Sequence, residues 1–216
     1  MSRRDAPKTD AVPPHLRAGR EPKRIVQFLV IAVALLAVDL VSKTLAFRHV
    51  AAHPVVVGSD GSVNVSFNSQ PMHGVPVVPW VLALKLTLNE GAIFGIGQGQ
   101  REAFVLISIV AIGIIAVIFA RSHRGALWQH VALAMVLAGA LGNLYDRVRF
   151  GAVRDLLLLF PGLELPLGLT WPGGERALYP WIFNIADVSL VVGVCILIVI
   201  MWRDERRPRG DESGRG

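Results

Sequence analysis

Cysteine occurs once in 216 residues, as Cys195, so a disulfide framework and a cysteine-built metal centre are both excluded. The lone thiol lies in the middle of an apolar run and reads as a small packing residue. Charge is scarce too, at 18% of residues against 53% apolar, and the mean hydropathy is +0.51. That is more apolar residue than a soluble domain of this length needs for its core. No internal repeat or low-complexity tract is visible. A nucleic-acid partner is not expected from the formal net charge of +6, because the basic residues are not gathered into a groove for phosphates.

They crowd instead at alternate ends of long hydrophobic segments. Four stretches match the roughly 20 apolar residues that a helix needs to cross the hydrocarbon core: residues 25–47, 103–120, 126–145 and 183–202. Arg17, Arg20, Lys23 and Arg24 precede the first, Arg121 and Arg124 join the second to the third, and Arg203, Arg206, Arg207 and Arg209 follow the fourth. The positive-inside rule then places both termini in the cytoplasm and the long connections, 48–102 and 146–182, on the outer side. A cleavable signal peptide is not expected, since the polar run 1–24 is too long for an n-region and the apolar run after it is long enough to span.

The expected fold is therefore an all-α membrane protein, a four-transmembrane-helix bundle with a small extracytoplasmic β-sheet subdomain. The membrane domain covers residues 25–202, flanked by tails at 1–24 and 203–216 whose composition predicts disorder. Within 54–99, Gly and Pro punctuate two partly alternating runs, 62–67 and 83–89, that read as short strands. Residues 161–180 read as an irregular loop at the membrane surface, with Trp171, Tyr179 and Trp181 at headgroup level. Ala134, Ala138 and Gly142 form a stripe of small side chains on the third segment, where another helix backbone can approach closely.

An ionisable side chain inside a span costs about 2.5 to 3.5 kcal/mol on insertion scales, so each needs a partner or a purpose. Asp39 and Lys43, four apart on the first segment, share a face; a structural ion pair and a role at a site both explain them. Asn143, Asp146 and Arg147 share a face at the outer end of the third segment, more than helix capping alone requires. A guanidinium at 147 is expected to fix the following loop in a hydrogen-bonded fork. Asn184 fits an N-cap of the fourth segment, whereas Asp187 reads as too deep for capping.

Asp155 lies in the outer connection, followed by an apolar run, 156–160, that should draw this segment against the bilayer. The topology puts Asp155 and Asp187 at one membrane face. Two carboxylates in a partly dry site cannot both ionise easily, and a shared proton equips one as acid and the other as base. An aspartyl protease uses such a pair to activate water and protonate a leaving amine.

Four blocks carry a resemblance: Asn89-Glu90-Gly91-Ala92-Ile93-Phe94-Gly95, Gly142-Asn143-Leu144-Tyr145-Asp146-Arg147, Gly151-Ala152-Val153-Arg154-Asp155 and Phe183-Asn184-Ile185-Ala186-Asp187. In this order, and with the Asp39/Lys43 pair, they resemble the lipoprotein signal peptidase (signal peptidase II) family of bacterial plasma-membrane proteases. The resemblance implies cleavage of prolipoproteins before a diacylglyceryl-modified cysteine, without metal or cofactor. It carries the catalytic dyad onto Asp155 and Asp187. It places Asn89, Gly91, Asn143, Asp146, Arg147 and Asn184 around them, with Asp39 and Lys43 as nearby support. Lipidated prolipoproteins and membrane lipid are the partners implied, and no obligate protein partner is. Two features depart from the family pattern: Leu156 stands where an aromatic residue often follows the first catalytic Asp, and the loop 161–180 is long.

Two other classes are weighed against this reading. A transporter should line a path through both membrane faces, yet the second segment has no ionisable residue from Phe104 to Ala120. In a non-enzymatic assembly or lipid-binding protein the acidic pair would be structural, and a cleavage assay separates the two.

Overall fold

The protein's structure, a computed structural model, describes residues 12–50, 56–57, 63–64, 71–91 and 100–206. Four helices dominate it: α1 (Pro22–His49), α2 (Arg101–Arg121), α3 (Leu127–Phe150) and α4 (Ile185–Glu205). Each is long and apolar enough to cross a membrane. Their apolar side chains largely face outward, as hydrocarbon permits and water does not; Val26, Ile107 and Val191 are 60%, 62% and 63% exposed.

Helix α3 is the centre of the bundle and packs on the other three. Half of its apolar window is buried, against 17% for α1 and α4 and 11% for α2. Small residues make this possible. Ala134 and Ala138 are buried, and a Cβ at Gly139 would collide with the carbonyl oxygen of Ala186 on α4. On α4 the counterpart is Gly193, where a Cβ would meet Val136 Cγ2 at 2.7 Å and Ala132 O at 2.8 Å. The expected stripe is thus one part of a contact that glycines on both helices close.

Helix α3 runs past the expected end at 145 to Phe150 and stops at Gly151, whose φ of 77° is left-handed and whose N–H donates to Arg147 O. Glycine takes this conformation without a Cβ penalty. Asp146 and Arg147 therefore lie inside the helix, and the chain doubles back at once into a strand.

That strand corrects the expectation of an outer loop over 146–182. Short strands β1 (Val56–Val57) and β2 (Val63–Asn64) pair with each other, while β3 (Val75–Val78), β4 (Leu82–Asn89), β5 (Val153–Leu159) and β6 (Ile182–Phe183) form an antiparallel sheet in that order. β4 contains the expected run 83–89; of the run 62–67, all but 63–64 lies outside the described residues. β5 and β6 come from the supposed loop. Within the apolar run after Asp155, Leu156 is buried with Ala46, Phe47 and Leu86, while Phe160 at its end is exposed. A continuous apolar run buried on both faces shows no alternation, so periodicity could not reveal it as a strand.

Residues 12–21 also differ from the expected disordered tail. Two 3-10 turns, Pro14–Leu16 and Ala18–Arg20, fold back on the α2–α3 turn. Ala18 N–H donates to Ser122 O at 2.9 Å, and Arg124 N–H donates to Leu16 O at 2.7 Å. Ala18 fills a core cluster with Phe28, Phe119 and Leu133, so backbone pairing and a small buried side chain order a segment whose composition is polar. Residues 1–11 and 207–216 lie outside the described residues.

Candidate active site

At the opposite end of the bundle, the largest side chains hidden almost completely from solvent are mainly polar: Lys43, Asn184, Asp39, Asp146 and Asp155, beside Phe47. Burial of this kind is tolerable only if every charge and amide is paired. The pairing begins on α1. Lys43 Nζ forms ion pairs with Asp39 Oδ2 at 2.8 Å and Asp146 Oδ2 at 3.1 Å, and donates to Asn143 Oδ1 at 3.3 Å. Two ion pairs and one hydrogen bond thus converge on the ammonium. Asp39 Oδ1 in turn accepts the Ala186 N–H of α4 at 2.9 Å.

Asp146, at the end of α3, holds the start of β5. Its Oδ2 accepts the Arg154 N–H at 3.0 Å, and its Oδ1 accepts Arg154 Nε at 3.0 Å and Nη2 at 2.8 Å. The Arg154 guanidinium also lies 4.4 Å from the centre of the Phe150 ring. Asp39, Lys43, Asp146 and Arg154 together form a buried, charge-balanced quartet that ties α1, α3 and β5 to one another.

Because side chains alternate along a strand, Asp155 points away from Arg154. Its Oδ1 accepts Asn184 Nδ2 at 2.7 Å, and its Oδ2 accepts Asn89 Nδ2 at 3.1 Å. Asn89 reaches it from the end of β4, where it opposes Val153, so Asp155 is its diagonal neighbour. A bulge sets this phase: Leu84 opposes Leu157 and Thr87 opposes Asp155, leaving two residues of β4 against Leu156 alone. The extra residue turns Asn89 to the Asp155 side of the sheet.

Asp187 stands on the first turn of α4 and is less buried than Asp155. Contrary to the sequence expectation, it does take part in capping: Asn184 Oδ1 accepts the Asp187 N–H at 3.0 Å, and Asp187 Oδ2 accepts the Asn184 N–H at 3.1 Å. Its Oδ1 accepts Asn143 Nδ2 at 2.8 Å. Asn184 also donates to Asn143 Oδ1 at 3.2 Å. With both amide hydrogens used and its oxygen occupied, it joins Asp155, Asp187 and α3 in one rigid network.

Burial, and after it the charge of Asp187, pushes the Asp155 carboxyl up to about 7; the hydrogen bonds from Asn89 and Asn184 and the charge of Lys43 act the other way. The phenol of Tyr179, which the sequence did not mark as a site residue, is raised above its ordinary value by burial and then by the charge of Asp187. The pair is thus asymmetric: one carboxyl is buried and poised to hold a proton, the other more open.

Arg147 does not hold Asp155. Its Nη2 donates to Gly91 O at 3.3 Å, and its guanidinium lies 4.9 Å from the centre of the Phe104 ring on α2. Its Nε is buried without a hydrogen-bond partner among the described residues. Gly91 N–H donates to Asn89 Oδ1 at 3.0 Å, so Arg147 secures the segment after β4. The anchoring expected of it belongs to Arg154, which sequence reasoning missed, although an arginine beside an aspartate at the head of an apolar run was a usable signal. Residues 92–95 of the first motif block lie outside the described residues. Among the described residues, no group of three or more His, Cys, Asp or Glu is placed to hold a metal ion.

Four apolar helices, an antiparallel sheet on one end and a buried polar network between them define a membrane enzyme. Two solved bacterial membrane enzymes share the fold, with TM-scores of 0.63 and 0.58 at 27% and 28% identity, covering 87% and 83% of this chain and 94% and 95% of theirs. The family model described as Signal peptidase (SPase) II matches residues 31–203, and the chain belongs to that family of membrane peptidases. Among its relatives, the lipoprotein signal peptidase of Geobacter sulfurreducens is 33% identical over 165 residues, 74% of this chain and 94% of that protein. That of Halothermothrix orenii is 33% identical over 132 residues, 61% of this chain and 78% of that protein.

Proposed function

We propose that this protein is an aspartyl endopeptidase that removes the signal peptide from diacylglyceryl-modified prolipoproteins by cutting before the lipidated cysteine. The observation that carries the reading is the bridge through Asn184, which holds two carboxylates from separate elements in one network, one of them with its pKa raised to about 7.

In the proposed mechanism the pair holds one proton, on Asp155, and a water between the two is activated by Asp187. Asp187 takes a proton from the water as its oxygen attacks the carbonyl carbon, while Asp155 gives its proton to the carbonyl oxygen. The tetrahedral intermediate then collapses: the C–N bond breaks, Asp187 delivers its proton to the leaving nitrogen, and a hydroxyl proton returns to Asp155. Asn89, Asn143 and Asn184 orient the carboxylates, and the Asp39, Lys43, Asp146 and Arg154 quartet fixes the elements that bear them. Arg147 Nε, buried and unpaired among the described residues, is the donor proposed to hold substrate backbone, beside Gly91.

Both termini are assigned to the cytoplasm and the pair to the outer face, on the distribution of Lys and Arg around the spans. Signal helix and acyl chains then lie in lipid beside the site, and each buried CH₂ contributes about 0.8 kcal/mol before ordering costs. The test is incubation of the purified protein with a lipidated preprolipoprotein and with the same chain bearing an unmodified cysteine. Release of the signal peptide from the lipidated form alone, abolished in Asp155→Asn and in Asp187→Asn variants that remain folded, is the expected result. Turnover by either variant overturns the dyad, and equal cleavage of both substrates overturns lipid recognition.

A further inference from the structure

The connection between β5 and β6 is an ordered arm rather than an irregular loop. Across its neck, Leu165 N–H donates to Arg176 O at 2.8 Å and Leu178 N–H donates to Leu163 O at 2.7 Å, with Glu164 opposite Ala177. An ion pair of 3.1 Å between Arg176 and Glu164 closes the neck on its exposed side. Trp171 is fixed from both ends: its N–H donates to Glu175 O at 2.9 Å, and its Nε1 donates to Ala177 O at 3.0 Å.

Beyond the neck, residues 165–174 carry no charged side chain. At the tip, Leu167 is 96% exposed and Leu169 is 57% exposed. The backbone of Leu167 has a φ of 60°, a left-handed conformation that disfavours any residue with a Cβ. In water the exposed apolar surface of this tip is unfavourable. Behind the tip runs a ladder of aromatic rings. Trp171 meets Trp181 at 4.6 Å between centroids, Trp181 meets Tyr179 at 5.2 Å, and Tyr179 meets Phe183 at 6.0 Å. Phe183 directly precedes Asn184, the N-cap of α4, whose Val188, Val191 and Val192 are exposed in their turn. The half-buried ring ladder thus links the start of the membrane-spanning helix to the arm that bears the two projecting leucines.

We propose that this arm is a second membrane-binding element: Leu167 and Leu169 insert into the leaflet around the active-site end of the bundle, with Trp171, Tyr179 and Trp181 at headgroup level. The occupant of the exposed tip is lipid. Amphipathic rings favour the interface and an uncharged leucine tip favours the acyl boundary, while the Arg176–Glu164 pair stays in water at the neck. An exposed apolar patch joined to an existing lipid-facing surface is the natural site for such an attachment.

The test uses full-length protein in nanodiscs, with Cys195→Ala removing the natural thiol and an environment-sensitive fluorophore on Leu167→Cys, Leu169→Cys or, as the neck control, Glu175→Cys. Lipids carrying a spin label high or low on the acyl chain report depth. The labels at 167 and 169 should lie about 5–10 Å into the headgroup and acyl boundary, lose most of their emission to the shallow spin label and resist aqueous iodide. The label at 175 should behave in the opposite way. Quenching of all three by iodide and none by spin-labelled lipid overturns the proposal. Two tip positions guard against one substitution disturbing the arm, and the readout is independent of whether the protein cleaves any substrate.

Discussion

Arg154 grips Asp146 with its main-chain N–H and two guanidinium nitrogens at 2.8 to 3.0 Å, so the residue before Asp155 is fastened to the end of α3. Lysine cannot reproduce this fork. Arg154→Lys should therefore let β5 shift and lower the cleavage rate on the order of 10²-fold for a displacement of about 1 Å, with little change in KM. Arg147→Lys, which disturbs Gly91 and Phe104 instead, should act mainly on KM. Steady-state kinetics of both variants check the assignment, and a larger loss of rate in Arg147→Lys would reverse it.

The raised pKa of Asp155 links stability to pH. The folded protein binds this proton more tightly than the unfolded chain does, since the carboxyl moves from 3.8 to about 7 on folding. Its contribution to stability is full below about pH 4 and is lost as the pH rises through about 7. The melting temperature in detergent should fall over that window, and Asp155→Asn should lack this part of the fall. Cleavage that depends on the same proton should decline as the pH passes about 7. Equal melting profiles for the two proteins would contradict the linkage.

Asn184→Ala removes a cap from α4 and a donor from Asp155 at once. The cap alone costs about 1 kcal/mol. Because the lost hydrogen bond favoured the charged carboxyl, the Asp155 pKa should rise further, and the alkaline limit of activity should move upward with a reduced kcat. A pH–rate profile shows this; a lower Tm with an unmoved profile would make Asn184 a helix cap only.

Gly142→Ala places a methyl against Asp39 Oδ2 and 3.2 Å from Ala186 Cβ. Overpacking of this kind costs about 1–3 kcal/mol. Since Asp39 is tied to Lys43 and to the Ala186 N–H, the displacement should pass into the carboxylate network and reduce activity together with Tm. An unchanged Tm would show that α3 and α4 can separate at this point without cost.

The spans were legible in the sequence because hydrocarbon thickness imposes a length that water does not, and no soluble core asks for four such runs. Asp39, Lys43, Asn143, Asp146, Asn184 and Asp187 stood out for the same reason, as polar groups where lipid should be. Their spacing put Asn143 with Asp146 and Arg147, and Asn184 with Asp187, on common helix faces, and the motif blocks tied them to Asp155. What the sequence left hidden was pairing over distance. That 153–159 is a strand, that it lies beside β4, and that a bulge opposite Leu156 turns Asn89 toward Asp155 are set by register, which apolar runs buried on both faces do not encode locally. The docking of residues 12–21 on the α2–α3 turn rests likewise on backbone hydrogen bonds that composition cannot foretell.

From the sequence alone came the membrane, the number of spans and the polar residues concentrated near one end of three of them, because the cost of burying charge in hydrocarbon is a property of each residue and its neighbours. The tertiary structure decided the partners: Arg154 rather than Arg147 anchors the strand of Asp155, Asn184 joins the two carboxylates, and Asp187 both caps α4 and faces the site. Partner choice is decided there because a hydrogen bond depends on distance and direction between groups as far as 147 residues apart, which exist only once the helices and sheet have closed around them.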